Sequence, residues 1–383
     1  MLILIPYQIR IGFAIGRLIK TFYEMAVRLT GNPDAVHFAF TKVGDERSPA
    51  LPSDFDNTIE FNQAEPSAAD MRRLAAYIAE HGITSVFALD LPVEATFLRT
   101  LRRAGVRRVI AYWGAPISSE NTGLKLLAKR IEVALHRSKP DLFIFESEAM
   151  RTLAVQGRGV SRSTTSMVHT GVDATAFRPD PDSANVVYAR FSIPRTRRIV
   201  VFMGHFHERK GVRVLMRAAE HAVGVMGRED LHFLFLGNRD DEPEQFRDSY
   251  AGATEWITFG GYQSDVPVLL SGCFVGCVPS TGWDSFPMSS LEMQACGLPV
   301  VASDWQGVPE TIADGETGFA VRAGDHALLA RTLASLADNP GRRDEMGRAA
   351  RKRILASFTR ERQTENLVQA VRSALPDTVN RSS

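Results

Sequence analysis

The feature of this chain that most constrains its fold is an alternation of short aliphatic runs with longer segments of helical periodicity. Short runs rich in Val, Ile, Leu and Phe, each followed by a helix or a polar loop, are typical of parallel strands buried on both faces. The alternation therefore predicts an α/β protein with parallel sheets covered by helices. The predicted strands are Leu2–Ile5, Val36–Phe40, Ser85–Ala88, Val109–Ala111, Leu142–Phe145, Ser166–Val168, Arg198–Met203, Leu231–Leu236, Trp256–Phe259, Phe274–Pro279, Pro299–Ala302 and Gly318–Val321.

The pattern restarts in the second half of the chain, which predicts two doubly wound, Rossmann-like domains. At 383 residues the chain is too long for one ordinary domain and suits two. The segment 177–183 contains prolines and aspartates and is predicted to link them. We therefore expect a first domain over 1–182 and a second over 183–358. The remainder, 359–383, is predicted to be a helix with Thr359 as a candidate N-cap, which could pack back on the first domain, followed by a polar tail.

Composition and charge limit the class of partner and the compartment. The formal net charge of +1 provides no excess of positive charge that would attract nucleic acid. Cys273, Cys277 and Cys296 stand in apolar sequence, as buried thiols of a reducing compartment do, and they lack the spacing of a metal site. The apolar start of the chain ends at Pro6, too early for a secretion signal or a membrane span. We expect a cytoplasmic protein.

The first candidate binding segment is a basic loop that runs from Gly204 to Gly211 and follows a predicted strand. In a doubly wound sheet, ligands bind beyond the carboxyl ends of the strands, and two such sheets that face each other form a cleft. Gly204 lets an anion approach the backbone, Lys210 offers a positive charge, and the helix that begins at Gly211 points N–H groups outward. The loop thus suits a phosphate, although the same pattern also occurs in solvated loops of α/β proteins.

The second candidate segment carries two carboxylates, Asp284 and Glu292. Glu292 lies about one turn into a predicted helix whose Leu291 and Ala295 face the sheet, so its carboxylate could chelate a vicinal diol. Asp284 precedes that helix, and the unpaired N–H groups of 285–288 could bind sugar hydroxyls or phosphate. The alternative is that Asp284 only caps the helix and that Glu292 is solvated.

Two tight turns, 307–310 and 314–318, flank a short predicted helix and complete the pattern of the second half. In this order the segments closely resemble glycosyltransferase family 4, whose members are retaining enzymes of the GT-B fold. The resemblance covers most of the chain and is most specific in the second half. The matching segments are Gly204–Gly211, Phe259-Gly260, the pair Asp284 and Glu292, 295–304, 307–310 and 314–318, with 147–151, 171–173 and 177–179 in the middle of the chain.

The resemblance implies that the second domain binds a nucleotide-sugar donor. Lys210 would hold the pyrophosphate and Glu292 the ribose hydroxyls. Asp284, with the backbone of Phe286–Met288, would hold the transferred sugar, and the base would lie near Tyr262. The donor-binding residues implied in this way are Gly16, Gly204, Lys210, Tyr262, Asp284, Ser285, Phe286, Pro287, Met288 and Glu292.

The resemblance also implies an acceptor site in the first domain. A first helix is predicted over Arg17–Leu29, and Gly16, just before it, matches the family's glycine turn that approaches the phosphate and the acceptor. The residues implied on the acceptor or sugar side are Gly12, Tyr112, Trp113 and Gly114.

Three positions depart from the family pattern. The family usually has arginine where this chain has His205, so a permanent cation is replaced by a group whose charge depends on pH. It usually has glutamate where this chain has the shorter Asp284, so the donor sugar could be held differently. In the first domain it often carries histidine followed by glycine, where this chain reads Tyr112-Trp113-Gly114.

The resemblance implies a transfer that retains the anomeric configuration and requires neither a metal nor another cofactor. Lys210, His205 and a helix N-terminus would stabilise the charge of the leaving pyrophosphate, and Asp284 is the further catalytic candidate. The acceptor hydroxyl would attack from the same face of the sugar, and the departing phosphate oxygen would take its proton. The expected reaction moves a sugar from a nucleoside-diphosphate sugar to a glycan, lipid-linked or small-molecule acceptor.

Other functions stay open from the sequence. A nucleotide-sugar epimerase or hydrolase of the same fold would show the same segments, and a binding module without catalysis would explain the three departures. A metal-dependent transferase would need an Asp-x-Asp site, and 54–56 has that spacing but lies far in sequence from the phosphate-binding candidates. A nicotinamide dehydrogenase is disfavoured, because 8–12, after the first strand, lacks Gly-x-Gly-x-x-Gly.

The segment 124–137 is predicted to be an amphipathic helix with the basic residues Lys125, Lys129, Arg130 and Arg137. One interpretation is that it rests on the anionic inner face of a membrane, which would suit a lipid-linked acceptor. The other is that its apolar face packs on the sheet while its basic face is solvated.

Overall fold

The computed structural model describes residues 1–9, 13–44, 47–119, 121–136 and 138–374. Within them the chain forms two compact units. The first unit comprises Met1–His169 and the segment from Glu361 onward, and the second comprises Thr170–Arg360.

The strands alternate with helices along both units. The strands are β1 Leu2–Leu4, β2 His37–Phe40, β3 Thr58–Glu60, β4 Ser85–Leu89, β5 Arg108–Trp113, β6 Leu142–Phe145, β7 Thr165–Met167, β8 Arg198–Met203, β9 Leu231–Leu236, β10 Ile257–Phe259, β11 Val275–Val278, β12 Val300–Ser303 and β13 Gly318–Val321. The helices are α1 Phe13–Thr30, α2 Ala68–Glu80, α3 Leu98–Arg103, α4 Gly123–Leu135, α5 Glu148–Thr152, α6 Val186–Phe191, α7 Val212–Glu220, α8 Val266–Leu270, α9 Met288–Ala295, α10 His326–Asp338, α11 Pro340–Ser357 and α12 Arg360–Ala374.

The first unit contains a seven-stranded parallel sheet in the order β3-β2-β1-β4-β5-β6-β7. It is buried on both faces because its strands are apolar at consecutive positions. In β1, Leu2 and Leu4 pack into the core on one face, and Ile3 packs into the core on the other. α1 and α12 contribute Phe22 and Leu367 to the core that contains Ile3. Each such buried side chain stabilises the fold by about 1.5–3 kcal/mol.

The second unit repeats this architecture with a six-stranded parallel sheet in the order β10-β9-β8-β11-β12-β13. Its central strand β8 again sends alternate side chains to two cores, with Val200 and Phe202 on one face and Ile199 and Val201 on the other. The α/β prediction is therefore confirmed for both units.

Each sheet has one position at which the direction of winding reverses. In the first unit the chain winds from β1 to β3 on one side and from β4 to β7 on the other. In the second unit the corresponding reversal lies between β8 and β11. We call the loops after β1 and β4 the first switch point and the loops after β8 and β11 the second switch point. Loops diverge at such positions and leave a crevice in which ligands bind.

All of the predicted strands are present, with bounds that differ by at most a few residues. The prediction missed β3, whose Thr58 and Glu60 flank a single buried Ile59, because an edge strand of this kind has little apolar signal. It also began the first helix too late. α1 already includes Gly16 in its first turn, so this residue does not form a turn before the helix. Glycine is tolerated there because the first N–H groups of a helix lack intrahelical partners.

The compact units divide at His169 and Thr170, whereas the predicted boundary lay near residue 182. The segment between these positions belongs to the second unit, where Phe177 is part of the core. The last helix, α12, begins directly after Thr359, and its residues from Glu361 belong to the first unit.

The cysteines are buried free thiols, as predicted. Burial raises the pKa of each thiol, that of Cys296 to about 12, so these groups stay protonated and unreactive. Among the helices that the structure describes, none combines the length and the apolar character that crossing a bilayer requires.

Candidate functional site

The loop after β8 presents Lys210 at the second switch point. A 3₁₀ turn, Glu208–Lys210, precedes α7, and Gly211 joins the two in the left-handed region with φ of 71°. A side chain at position 211 would also collide with the carbonyl oxygen of Pro279, which follows β11. Glycine is required here for both reasons, and it lets the loop after β8 lie against the loop after β11.

Lys210 and Asp284, which the sequence predicts to bind different parts of one ligand, form an ion pair. The distance from Lys210 Nζ to Asp284 Oδ2 is 2.8 Å, and the two side chains are 20% and 7% exposed. Ser280 Oγ donates to the same carboxylate oxygen at 2.8 Å. Because the pair is largely shielded from water, breaking it costs more than breaking an exposed pair would.

The backbone of Asp284 is fixed as well. Its N–H donates to Gln306 Oε1 at 3.3 Å, and its carbonyl accepts from the N–H of Gly307 at 3.3 Å. Gln306 adopts a left-handed conformation with φ of 49°, which is uncommon for a residue with a side chain and costs about 1–3 kcal/mol. The loop after β12 thus fixes the backbone of Asp284, while Lys210 and Ser280 hold its carboxylate.

Helix α9 begins at Met288, with Pro287 in the N-cap position. Within the described residues no side chain caps its N-terminus, so Asp284 does not act as a cap. Glu292 is 8% exposed, which rules out the solvated alternative. A buried carboxylate and a helix N-terminus without a side-chain cap therefore follow the Lys210–Asp284 pair along the chain.

Arg209 is a second cation at this edge of the sheet. Its guanidinium lies over the ring of Trp283, 3.8 Å from the centroid, and donates to the Trp283 carbonyl at 3.0 Å. Burial lowers the pKa of Arg209, and the charge of Asp284 opposes that change. Its guanidinium covers one face of the indole, which is therefore not open to a sugar ring.

Of the remaining groups of the second unit, the two histidines and Tyr262 are exposed, whereas 285–287 are buried. His205 follows Gly204 and is exposed. His207 caps the 3₁₀ turn, because its Nδ1 accepts from the N–H of Arg209 at 3.2 Å. Tyr262 is exposed in the loop after β10, where Gly261 donates to Asn238 Oδ1 at 2.9 Å. The side chains of Ser285, Phe286 and Pro287 are buried, and the carbonyl of Phe286 accepts from Thr170 Oγ1 at 3.3 Å.

In the first unit, the end of β5 is more buried than the sequence predicts. The Tyr112 side chain is fully buried, and its hydroxyl donates to Glu146 Oε1 at 2.9 Å, which leaves it no surface for an acceptor. Trp113 is also buried. Gly114 donates its N–H to Asp90 Oδ1 at 3.0 Å.

Asp90 and Glu146 are carboxylates that the sequence analysis missed. Asp90 directly follows β4 and Glu146 directly follows β6, on either side of Gly114 at the end of β5. Burial raises the pKa of Asp90 to about 6, and the hydrogen bond from Gly114 opposes the rise. Such a shift at the carboxyl edge of a sheet is a feature of functional sites.

Other predicted positions are not brought into these clusters. Gly12 lies outside the described residues, and Gly16 lies within α1. In the Asp54–Asp56 segment, Asp56 pairs with Arg47 at 2.8 Å and is exposed. Over the described ranges, no group of three or more His, Cys, Asp and Glu side chains is arranged to bind a metal.

Helix α4 contradicts the interpretation in which its apolar face packs on the sheet. Among its described side chains only Val133 is buried. Its large apolar residues recur at helical spacing and are exposed by 84%, 52%, 51% and 76% respectively: Leu124, Leu127, Ile131 and Leu135. We call these four residues the α4 ridge. Lys125 and Arg130 are exposed on the same helix.

The family model that matches this chain falls within the second unit. Residues 197–339 match the family model "Glycosyl transferases group 1". The chain is 38% identical over 150 residues to phosphatidyl-myo-inositol mannosyltransferase of Mycobacterium leprae. The matched region covers 38% of this chain and 39% of that protein. The chain is 29% identical over 305 residues to the GDP-mannose-dependent alpha-(1-6)-phosphatidylinositol monomannoside mannosyltransferase of Mycolicibacterium smegmatis, covering 75% of each. For the first four curated relatives, the match spans only 39–52% of their length.

Solved structures match the fold over nearly the whole chain. A glycosyltransferase from Rickettsia africae matches with a TM-score of 0.81 at 15% identity and covers 98% of both chains. Anabaena HepE in complex with UDP matches with a TM-score of 0.78 at 16% identity and covers 97% of this chain and 99% of its own. At such low identity, these likenesses concern the fold alone.

Two parallel-sheet units of this topology, matched along the chain by these structures, define a protein of the GT-B fold. Over residues 197–339 the second unit is similar to the group 1 glycosyl transferases.

Proposed function

We propose that the protein is a glycosyltransferase that moves a sugar from a nucleoside-diphosphate sugar to a hydroxyl group of an acceptor. The observation that carries the proposal is the second switch point, where Lys210, Asp284, the N-terminus of α9 and buried Glu292 lie within the segment that matches the family model. Cations and free N–H groups suit a pyrophosphate, and carboxylates suit sugar hydroxyls.

The Lys210–Asp284 pair suggests how the site changes when the donor binds. The ammonium of Lys210 has three N–H donors, so it can hold Asp284 and a phosphate oxygen together. Asp284 Oδ2 already accepts from Lys210 and Ser280, which orients the carboxylate for a sugar hydroxyl. Glu292 would accept from the ribose hydroxyls, and the base would lie by Tyr262.

Transfer is proposed to proceed with retention and without a metal, as in family 4. Lys210, the α9 N-terminus and His205 would stabilise the charge on the leaving diphosphate, which a metal ion supplies in other transferases. The acceptor hydroxyl would attack on the face from which the diphosphate departs, and a phosphate oxygen would take its proton. The anomeric configuration of the product, read by NMR, tests retention, and activity in EDTA tests metal independence.

The donor and acceptor are proposed only by class. The names of the relatives include GDP-mannose, phosphatidyl-myo-inositol, phosphatidylinositol monomannoside and D-inositol 3-phosphate. One structural neighbour was solved with UDP-glucose. We therefore propose a nucleoside-diphosphate hexose as donor and a glycan, lipid-linked or small-molecule alcohol as acceptor.

The donor site is tested by thermal stabilisation with UDP, GDP, UDP-glucose and GDP-mannose. A ligand that binds only the folded state at about 100 times its Kd stabilises it by about 2.7 kcal/mol, which raises Tm by several degrees. We expect one nucleotide series to raise Tm in the wild type and to lose this effect in Glu292→Ala. The control is Glu316→Ala, which removes an exposed carboxylate before β13, at the opposite edge of the same sheet.

The outcomes separate the candidate functions. No stabilisation by any nucleotide, in a folded protein, would contradict the donor site. Stabilisation without turnover would indicate a binding module. Release of free sugar or of an epimer as the sole product, even with acceptors present, would indicate a hydrolase or an epimerase.

The α4 ridge supports a further part of the proposal, that the protein acts in the cytoplasm against the inner face of a membrane. Buried free thiols fit a reducing compartment. Four exposed apolar side chains in one helical row, accompanied by Lys125 and Arg130, have the pattern of a helix that inserts its apolar side into an anionic lipid surface. Such a location would bring a lipid-linked acceptor to the enzyme.

Flotation with vesicles tests this contact. We expect the protein to float with phosphatidylglycerol vesicles and much less with phosphatidylcholine vesicles. Ile131→Glu should abolish flotation, because it places a charge in the centre of the α4 ridge. Leu355→Glu is the matched control, since Leu355 is equally exposed on α11 of the second unit. Equal flotation of wild type and Ile131→Glu would remove membrane contact from the proposal.

A further inference from the structure

The first switch point has a carboxylate at its centre. The reversal of winding lies between β1 and β4, so the residues directly after these strands line the crevice. Tyr7 lies in the loop after β1, and Asp90 directly follows β4. Ligands of doubly wound sheets bind at this position, and the corresponding position of the second unit holds Lys210 and Asp284.

The backbone of Asp90 is held in a costly conformation. Its φ of 51° lies in the left-handed region, which residues other than glycine rarely adopt. Its N–H donates to the carbonyl of Tyr112 at 2.7 Å, and its Oδ1 accepts from the N–H of Gly114 at 3.0 Å. Both contacts come from the end of β5, so this strand fixes the backbone and one carboxylate oxygen of Asp90.

A second carboxylate, Glu146, lies against Gly114. A Cβ at position 114 would lie 3.4 Å from Glu146 Oε1, and Glu146 is buried and accepts from the Tyr112 hydroxyl. The peptide that supplies the N–H to Asp90 therefore lies between two carboxylates. This arrangement orients Asp90 without neutralising it.

Asp90 lacks the partners of a structural carboxylate. Asp141, at the opposite edge of the sheet, pairs with Arg102 at 2.7 Å. For Asp90, by contrast, the described part of the chain provides no ion pair, and the N–H of Gly114 is its one hydrogen-bond donor there. Burial raises the pKa of Asp90, and the side chain is nevertheless partly accessible. The carboxylate is thus kept in an unfavourable environment with Oδ2 open to a ligand.

Tyr7, in the loop after the neighbouring strand β1, supplies a second polar group at this switch point. Burial and, after it, the charge of Asp90 raise the pKa of the Tyr7 phenol, which is 41% exposed. Among the described residues the partners of Asp90 include no cation, so its carboxylate, with a phenol and a glycine backbone, suits neutral hydroxyl groups, because an anionic ligand would be repelled by Asp90.

We propose that Asp90 binds a hydroxyl group of a polyol acceptor through Oδ2, with Gly114 holding Oδ1 and the Tyr7 phenol at the same switch point. The inference rests on the proposed function, because it names the acceptor class and a residue that selects it. It requires no covalent step of Asp90, which remains a carboxylate throughout. Asp90 selects the acceptor, whereas Lys210, Asp284 and Glu292 serve the donor.

The experiment compares wild type, Asp90→Asn and Asp34→Asn. Asp34 is an exposed carboxylate before β2, at the opposite edge of the same sheet, so it controls for loss of one negative charge in the first unit. Transfer is measured from the donor that stabilises the wild type to myo-inositol, D-inositol 3-phosphate and methyl α-mannoside. Nucleotide stabilisation and the Tm without ligand are measured on the same samples.

We expect Asp90→Asn to reduce kcat/KM for the acceptor about ten-fold or more, as loss of a charged hydrogen-bond acceptor does, with unchanged stabilisation by the donor nucleotide. Its Tm at pH 7.5 should equal or exceed that of the wild type, because an unpaired buried charge is removed. The wild-type kcat/KM for the acceptor should fall as the pH drops below about 6, and Asp90→Asn should lack this dependence.

Three results would overturn the inference. The first is an unchanged kcat/KM for the acceptor in Asp90→Asn. The second is a lower Tm in that variant, which would assign Asp90 a structural role. The third is a wild type that binds and turns over the donor but transfers to no polyol. If no nucleotide stabilises the wild type, the proposed function itself fails, and this result is recognised before any acceptor is tested.

Discussion

The two switch points share one topology and differ in how they treat a carboxylate. In the second unit, Asp284 is paired with Lys210 and accepts from Ser280. In the first unit, Asp90 accepts from a backbone N–H alone within the described residues, and burial raises its pKa. The second switch point therefore has a carboxylate paired with a cation, together with the N–H groups of the α9 N-terminus. The first switch point has a carboxylate without a cationic partner among the described residues.

This difference shows that the fold provides a position and that side chains from the loops decide its chemistry. The edge with Lys210, Arg209 and the α9 N-terminus suits an anionic donor. The edge with Asp90 and Tyr7 disfavours anions and suits neutral hydroxyls. Two substrates of opposite electrostatic character can thus be sorted onto two units of the same architecture.

The largest expected effect concerns the cation of the second switch point. Lys210→Ala should reduce turnover by about 100- to 1,000-fold, or about 3–4 kcal/mol, because a preorganised charge at the leaving group is lost. Steady-state kinetics with the identified donor measures the effect. Lys352→Ala, an exposed lysine of α11, is the control. Near-normal turnover of Lys210→Ala would contradict the proposed difference between the two switch points, because the positive charge of Lys210 would then not serve an anionic donor.

The next effect compares the same substitution at both switch points. Asp284→Asn should lower the free energy of unfolding by about 2 kcal/mol, because it leaves Lys210 without its charged partner in a partly buried site. Asp90→Asn should not lower it at neutral pH. Chemical denaturation of both variants at pH 7.5 gives the comparison. A loss of similar size in both would mean that Asp90 is paired in solution as Asp284 is.

The α/β architecture could be predicted from the sequence because each strand of a sheet that is buried on both faces is a run of apolar residues. Such a run is recognisable without knowledge of its neighbours in the fold. β8 and β9 were predicted to the residue, since five of the six residues in each are apolar. Lys210, Asp284 and Glu292 were singled out as candidates from local patterns of glycines and carboxylates, and their roles stay predictions. β3 was missed because one buried residue between polar neighbours has no comparable signal.

The features that could not be predicted from the sequence depend on contacts between residues that are far apart in the chain. Lys210 and Asp284 are 74 positions apart, so their pairing follows from loop geometry that neither segment reveals. Asp90 is a single aspartate after a strand, and its importance appears only when β5 is placed beside it. For α4, periodicity identified the apolar face correctly, but whether protein covers that face is a property of the tertiary structure.

The smallest effect is a pH dependence of stability that Asp90 should cause. In the unfolded chain this carboxyl has the ordinary value of 3.8, whereas burial raises the pKa in the folded state to about 6. Between these values the folded state holds a proton that the unfolded state has released, so stability falls as the pH rises through this window. The full shift of about two units corresponds to about 3 kcal/mol, and solvent at a partly exposed carboxyl reduces this to about 1–2 kcal/mol.

The charge of Asp90 acts on Tyr7 after β1 and Tyr112 in β5, and Glu146 after β6 lies against Gly114. The contribution of Asp90 is therefore obtained as the difference between wild type and Asp90→Asn. The unfolding free energies of wild type and Asp90→Asn should be similar near pH 4, and the variant should become the more stable one between pH 4 and pH 7. Asp284 is instead paired with Lys210, so Asp284→Asn should be less stable than the wild type at pH 7. If the difference between wild type and Asp90→Asn is constant over this range, Asp90 titrates as an ordinary surface aspartate, and the electrostatic contrast between the two switch points disappears.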